Sequence, residues 1–151
     1  MSRALSLIAV FAAMVAIAPV ASAQELTPVG RWVTVDDNTG KDRSVVTLTE
    51  KDGVVFGHIE KLILDPSEDP NPKCDKCSDA KKDQPVIGLE ILWGLKKDGN
   101  EWSGGKILDP DNGKTYKCWI QVIDEGRRMK VRGFIGISLL GRTQYWKKAK
   151  E

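Results

Sequence analysis

Clusters of turn-forming residues recur at short intervals along this chain, and they limit the folds it can adopt more than any other feature does. The clusters occupy positions 36–40, 51–53, 97–100, 109–113 and 124–126. Gly, Asn and Asp tolerate a positive φ and Pro presets its own φ, so such clusters favour tight reversals of the chain. The segments between them are short and rich in Val, Ile, Thr, Phe and Trp. This combination predicts antiparallel strands joined by hairpins.

The pattern predicts strands over residues 30–35, 43–50, 54–62, 88–95, 101–108, 114–123, 128–135 and 142–147. Segment 114–123 is the clearest, because its side chains alternate with the period of two that a half-buried strand requires. Segment 88–95 is ambiguous, since the spacing of Leu89, Ile91 and Leu95 also suits two turns of helix.

Strands of this number and length indicate an all-β domain, either an antiparallel up-and-down barrel of about eight strands or a sandwich. A closed barrel removes the unpaired edges that a small all-β domain otherwise exposes. At about eight strands the interior is filled by side chains or holds one small ligand. Residues 65–85 interrupt the rhythm with four prolines, many charges and few apolar side chains. A loop of this length is usually functional or mobile.

The first 23 residues have the layout of a cleavable signal peptide. Arg3 gives a positive start, an almost unbroken apolar run extends over 4–20, and 21–23 form a small-x-small cleavage site. The alternative is a retained membrane anchor, but the run is shorter than the roughly 20 residues that span a bilayer. We expect cleavage after Ala23, a single barrel domain over 24–151, and a location in the periplasm or outside the cell.

Charge and hydropathy exclude some partners of the mature chain. In the whole sequence Lys and Arg number 23 and Asp and Glu number 21, and removing Arg3 with the signal peptide takes the formal charge from +2 to +1; the two signs are interspersed. Without a basic tract that could neutralise a row of phosphates, nucleic acid is not an expected partner. No second apolar segment is long enough to cross a membrane.

The ends of the predicted barrel resemble the calycin superfamily, which includes the lipocalins and the fatty-acid-binding proteins. The first strand opens with Gly30, Arg31 and Trp32, and the last contains Arg142. In those barrels a Trp on the first strand closes one end and packs under a basic side chain from the last strand. The resemblance implies that Trp32 and Arg142 form this closing pair, as a cation–π contact.

The mature chain as a whole resembles an uncharacterised family of exported bacterial proteins, the domain-of-unknown-function family 2147. The resemblance lies in segments 30–32, 56–59, 74–77, 84–89, 102–110, 112–116, 132–136 and 140–144. That family is thought to share the calycin barrel and has no agreed activity. The resemblance therefore implies a fold and a location, and adds almost nothing about chemistry.

Cys74 and Cys77 form a Cys-x-x-Cys pair within the long loop, and three interpretations are open. The pair is a structural disulfide, a redox dithiol or half of a metal site. A disulfide suits an exported protein, and a thioredoxin-type motif would sit at a helix N-terminus. A zinc site needs about four ligands. We favour the disulfide and predict no metal site and no cofactor. Cys118 is either a buried free thiol or a rival partner for one of the pair.

Catalysis is not indicated by the polar residues. His58 is the only histidine, and no nucleophile motif accompanies it. Residues 109–113 lack the spacing and the closing Glu of a calcium-binding EF-hand loop, so a hairpin turn is the better interpretation. We predict no catalytic residue.

The favoured function is binding of a small apolar or amphipathic molecule inside the barrel. The residues expected to line the site are Phe56, His58, Trp93, Tyr116, Ile120 and Phe134. Two alternatives are a filled barrel that docks to another envelope protein and a thiol oxidoreductase acting through the Cys-x-x-Cys pair. For docking, the loop 65–85 or the apolar stretch 134–140 is the expected surface. The latter is either a bent strand and loop at a barrel end or a mobile lid.

Overall fold

The computed structural model describes residues 25–150, so the predicted signal peptide lies outside the described residues. Eight strands follow one another along the chain: β1 (Gly30–Val35), β2 (Asp42–Lys51), β3 (Val54–Leu62), β4 (Glu90–Asp98), β5 (Glu101–Asp109), β6 (Lys114–Ile123), β7 (Arg128–Phe134) and β8 (Gly141–Lys148). Two short 3₁₀ helices lie at Asp79–Lys81 and Asp124–Gly126. The ambiguous segment 88–95 forms β4 and is not helical. No helix among the described residues is long and apolar enough to span a bilayer.

The strands form a closed antiparallel barrel in which each strand pairs with its neighbour in sequence. The barrel closes where Trp32 and Val33 of β1 pair with Lys148 and Lys147 of β8. The predicted all-β, up-and-down barrel is therefore confirmed, and the sandwich alternative is wrong.

The two ends of the barrel differ in the length of their connections. At one end, which we call the base, tight turns join β2 to β3, β4 to β5 and β6 to β7. At the other end, the mouth, the connections are 36–41, 63–89, 110–113 and 135–140. The long loop therefore belongs to the mouth.

The base half of the barrel is filled by apolar side chains. Those that are almost fully buried there include Leu48, Val55, Leu95, Ile120 and Met129. Burial alternates with a period of two in β3, β6 and β7, as expected for strands with one solvated face. In β2 and β4 irregular register places buried residues side by side.

Trp32 closes the base, but the basic residue that covers it is not the predicted one. The indole is fully buried and its Nε1 donates a hydrogen bond to the carbonyl of Pro28 at 2.7 Å. Lys148 places its Nζ 4.6 Å from the ring centroid. The prediction of Arg142 is wrong because Lys148 is the residue that pairs with Trp32 across the closing ladder. Six residues of strand, about 20 Å, separate Arg142 from that position, and Arg142 pairs with Asp37 at the mouth.

The long loop is fastened to the β5–β6 hairpin. Cys74 and Cys77 form a disulfide with their Cα atoms 5.3 Å apart, which confirms the predicted pairing. Both half-cystines are buried, and Lys76 donates a hydrogen bond to the carbonyl of Asp111 at 2.9 Å. Gly113 makes this contact possible, because a Cβ there would overlap the carbonyl of Lys76. The burial of both sulfurs supports the structural interpretation of the pair.

Cys118 is a buried free thiol, as the first of its two interpretations proposed. Its side chain points inward from β6, between Tyr116 and Ile120. Desolvation by burial raises the pKa of the thiol to about 12, so it stays protonated at neutral pH.

Candidate functional site

The mouth half of the barrel encloses a cavity of about 370 Å³. Its apolar wall comes from several strands and from one residue that follows the long loop: Ile59, Leu62, Val86, Ile91, Ile107, Leu108, Val131 and Trp146. Most of these side chains are buried from solvent. The cavity therefore lies directly above the filled base half and shares its apolar character.

Glycine and small side chains keep this half of the barrel open. Gly133 of β7 lines the cavity, and a Cβ built on it would lie 3.4 Å from Ile107 Cγ2 and 3.5 Å from Tyr116 Cβ. These are ordinary van der Waals separations, so a larger side chain at this position would project into the cavity rather than strain the backbone. The absence of a side chain at Gly133 leaves space that a ligand can occupy.

Polar side chains line one side of the cavity, where β1, β2 and β8 meet. Thr34 Oγ1 and Ser44 Oγ lie 2.7 Å apart in a hydrogen bond, and Ser44 is buried. Trp146 Nε1 donates to Gln144 Oε1 at 3.2 Å. Buried polar groups that pair with one another leave further hydrogen-bonding capacity on the hydroxyl and amide oxygens. This wall can therefore orient a polar group of a bound molecule.

The rim of the cavity carries charges of both signs. Arg43 Nη1 lies 3.0 Å from Glu68 Oε1, and this hydrogen-bonded carboxylate raises the pKa of the guanidinium. Arg142 pairs with Asp37. The carboxylate of Asp36 accepts hydrogen bonds from the backbone and hydroxyl of Thr39, which lowers its pKa. Asp109 and Asp111 complete the charged rim.

The loop between β7 and β8 adds partly exposed apolar side chains to one side of the mouth. Ile135 and Leu140 line the cavity but leave 66% and 71% of their surface exposed to solvent. Phe134, at the end of β7, continues the same lining. The stretch predicted to be either a bent strand and loop or a mobile lid is thus a strand end and loop at the mouth.

Two of the six predicted lining residues are in the cavity wall, Tyr116 and Phe134. Phe56 and His58 are not, because they face outward. The alternate positions of β3, Val55, Gly57 and Ile59, are the ones that face inward. A Cβ on Gly57 would lie 3.2 Å from Leu92 Cβ, inside the barrel. His58 lies on the outer surface with its Nε2 3.7 Å from Glu90 Oε2.

Trp93 and Ile120 also lie outside the cavity wall. Trp93 faces outward from β4, where Lys81 places its Nζ 4.0 Å from the ring centroid. The ammonium of Lys81 is partly desolvated there, and burial lowers its pKa. Ile120 does point inward but is fully buried in the filled half, at its boundary with the cavity, opposite the wall residue Val131. The prediction for Trp93 had the wrong face of the strand, and the prediction for Ile120 had the right face but the wrong half of the barrel.

Sequence reasoning missed several side chains of the wall and rim. Trp146 was not among the residues expected to line the site, although its spacing of two from Gln144 on the last strand is that of a shared face. Arg43 and Asp111 are far apart in sequence and meet only because β2 and the β5–β6 hairpin end at the same side of the barrel. The local pattern contains no signal for such a meeting.

The site can hold an apolar group in its interior and offers polar groups at its entrance. An apolar wall binds hydrocarbon by excluding water, and the rim offers guanidinium, carboxylate and hydroxyl groups. Within residues 25–150 no group of three His, Cys, Asp or Glu side chains is arranged to hold a metal ion.

Comparison with known proteins gives a family and a fold. The sequence model of a family described as "Uncharacterized protein conserved in bacteria (DUF2147)" matches residues 30–148. Among curated proteins, none matches the sequence. A solved structure described as "Protein HP1028 from the human pathogen Helicobacter pylori belongs to the lipocalin family" superimposes with a TM-score of 0.70. It is 20% identical, and the match covers 84% of this chain and 86% of that one. At this identity the likeness establishes the lipocalin-like barrel and nothing about a ligand.

Proposed function

Since this chain belongs to the family of proteins conserved in bacteria described as DUF2147, and folds as a lipocalin-like barrel, we propose that it binds a small apolar or amphipathic molecule. The observation that carries the proposal is the cavity of about 370 Å³ between the filled base and the mouth. Ligand sites are typically concave, mostly apolar and a few hundred Å³ or more in volume. The cavity meets all three criteria.

The volume of the cavity limits the size of the part of the ligand that it holds. Ligand sites typically have volumes of roughly 300–1,000 Å³, so a cavity of about 370 Å³ lies at the small end of that range. A longer molecule would project through the mouth, past Ile135 and Leu140. The ligand is therefore a medium-sized molecule or the apolar end of a larger one.

An amphipathic ligand fits the distribution of polarity better than a pure hydrocarbon does. The apolar wall surrounds the deep part, whereas Arg43, Asp111 and Arg142 lie at the rim. A polar head at the rim keeps its hydration or gains a charge-assisted hydrogen bond, so it avoids the cost of burial without a partner.

We propose that the protein works outside the cytoplasm. The sequence of the first 23 residues has the layout of a cleavable signal peptide. A disulfide such as Cys74–Cys77 persists in an oxidising compartment. Both features support work in the periplasm or beyond the cell.

Binding can be tested with parinaric acid, a fluorescent polyene fatty acid, added to the protein. Trp146 lines the cavity, so a molecule bound there should quench its emission and accept its excitation energy. Gly133→Leu and Val131→Phe would each fill part of the cavity, and we expect both to weaken binding at least tenfold, a loss of about 1.4 kcal/mol. Trp146→Phe should reduce the energy transfer, of which the four remaining tryptophans still supply part, while retaining binding by ligand fluorescence.

Outward-facing residues provide the matched controls. His58→Ala and Phe56→Leu change side chains on the outer face of β3 and should bind the probe as the unmodified protein does. Binding that persists in both cavity-filling variants, with the fold retained in thermal melts, would place the site elsewhere and overturn the proposal. Mass spectrometry of the native protein from its own host would identify a carried molecule and the cleavage position together.

A further inference from the structure

The loop between β7 and β8 presents an exposed apolar surface that the cavity does not account for. We call Ile135, Ile137, Leu139 and Leu140 the apolar tip; their exposed fractions are 66%, 60%, 84% and 71%. Ile137 and Leu139 do not line the cavity, although the other two do. Contiguous apolar surface of this kind marks a site of contact with a protein or a membrane.

The backbone beneath the tip is fastened to the barrel wall. Arg132 donates hydrogen bonds to the carbonyls of Ser138 at 2.8 Å and Leu139 at 3.2 Å. Trp119 Nε1 donates to Ser138 Oγ at 3.0 Å, and Lys117 Nζ lies 3.4 Å from the carbonyl of Gly136. Because these donors satisfy the loop's carbonyls from the barrel side, the aliphatic side chains are turned outward.

Basic side chains lie on the outer wall of the barrel next to the apolar tip. We call Lys106, Lys117, Lys130 and Arg132 the basic wall. Adjacent register positions bring them together on the outer face of β5, β6 and β7, with Lys106 opposite Lys117. None of the four forms an ion pair with another described residue. Segments 114–123 and 127–150 contain no Asp or Glu at all, whereas the whole chain is nearly neutral. The fold thus concentrates positive charge in one sector.

We propose that the apolar tip and the basic wall dock this protein onto the surface of an anionic lipid bilayer. The tip would enter the boundary between headgroups and acyl chains, and the basic wall would lie against anionic headgroups. Trp119 and Tyr145, on the outer faces of β6 and β8, have the amphipathic rings that favour this boundary. The proposal does not depend on what the cavity holds.

Charge complementarity and shape favour a bilayer over a protein partner. Four aliphatic side chains on a protruding loop, separated by Gly136 and Ser138, fit a fluid acyl layer without requiring a matching pocket. The outer wall of β6 and β7 beside the tip carries only basic charges, because segments 114–123 and 127–150 contain no Asp or Glu, and an anionic membrane attracts such a wall. An envelope protein with an acidic groove is the other outcome that the experiment must detect.

Vesicle flotation tests the proposal on the mature protein. We expect binding to phosphatidylcholine vesicles that contain phosphatidylglycerol and much weaker binding to phosphatidylcholine alone. Raising the salt from about 0.1 M to about 1 M shortens the Debye length from about 10 Å to about 3 Å, so binding should fall. Blue-shifted emission that is lost in Trp119→Phe would place that ring at the bilayer.

Two paired variants separate the apolar and electrostatic contributions. The double substitution Ile137→Gln with Leu139→Gln should weaken vesicle binding about tenfold or more, the value of one aliphatic side chain taken from water. The double substitution Lys106→Glu with Lys130→Glu, at two cations that make no hydrogen bond to the loop, should weaken it at least about twentyfold, because each cation near such a surface contributes about fivefold. The controls Ile87→Gln, an exposed apolar residue after the long loop, and Lys61→Glu, on β3, should leave binding unchanged.

Several results would overturn the proposal. One is the absence of vesicle binding at low salt, and another is binding that the tip variant does not alter, which would indicate charge adsorption alone. A third is crosslinking to an envelope protein that requires the tip when vesicle binding does not. Gly133→Leu keeps the tip and wall intact, so it should dock normally even though it blocks the cavity. This variant therefore distinguishes failure of docking from failure of ligand binding.

Discussion

At the scale of the residue, the buried thiol of Cys118 makes the stability of the folded protein decrease as the pH rises in the alkaline range. Burial raises its pKa to about 12 in the folded protein, whereas a thiol in an unfolded chain titrates near about 8.5. A group whose pKa is higher in the folded than in the unfolded state contributes fully to the free energy of unfolding when the pH is below its unfolded-state pKa. That contribution is lost as the pH rises toward its folded-state pKa. The stability that depends on Cys118 should therefore decline as the pH rises above about 8.5.

We predict that Cys118→Ala removes this decline. The substitution creates a small cavity, which costs stability equally at every pH. Urea unfolding of the two proteins at several alkaline pH values should show their stabilities converging as the pH rises. Parallel curves would show that the thiol ionises at the same pH in both states. As an independent measurement, a thiol reagent should label Cys118 only after unfolding.

The face that each residue takes in a strand was the least predictable property at this scale. Phe56 and His58 look like wall residues in the sequence, yet Gly57 occupies the inward position between them. A shift of one residue reverses every face of a strand, and a glycine carries no hydropathy signal that reveals its side. Tyr116 was placed correctly because β6 alternates without interruption over its whole length.

At the scale of the element, the long loop depends on a contact with the β5–β6 hairpin. We predict that Gly113→Ala destabilises the protein by about 1–3 kcal/mol, the usual cost of a strained backbone position, with a further cost from steric overlap. Gly113 has a φ of +71°, and a Cβ there meets the carbonyl of Lys76 beside the disulfide. The disulfide turn must move to relieve that overlap, so reducing agents should also reach the disulfide faster.

Gly40→Ala is the matched control for this prediction. Gly40 has a similar φ of +69°, but a Cβ there meets nothing within 4 Å. Both substitutions carry the same backbone penalty, and only one disturbs the loop contact. Equal stabilities and equal rates of disulfide reduction in the two variants would show that the contact with Lys76 contributes nothing.

The strands themselves were largely predictable from the sequence. Turn clusters at 36–40, 97–100 and 109–113 separate strands that begin and end close to the predicted bounds, because Gly, Asn and Asp specify reversals locally. The partner of Trp32 was not predictable in the same way. It depends on the register of β1 against β8, which brings Lys148 to the base and leaves Arg142 at the mouth. Register between strands distant in sequence is set by the whole barrel.

At the scale of the whole molecule, the barrel has one packed half and one half that encloses a cavity. Leu48, Leu95 and Met129 are fully buried in the packed half, where each gains dispersion contacts on all sides. Side chains that line a void lack those contacts on one side. The two halves should therefore differ in local stability even though the same strands run through both.

Hydrogen exchange along β6 can measure this difference within a single strand. We predict that amides near Val122, which pairs with Met129 at the base, exchange only through global unfolding. Amides near Tyr116, which pairs with Ile107 beside the cavity, should exchange through local opening with a weaker denaturant dependence. Saturation with parinaric acid should protect the mouth amides, since a ligand at a hundredfold excess over its Kd stabilises the bound state by about 2.7 kcal/mol. Uniform protection along β6, unchanged by the ligand, would show that the cavity neither weakens the mouth nor takes up the probe.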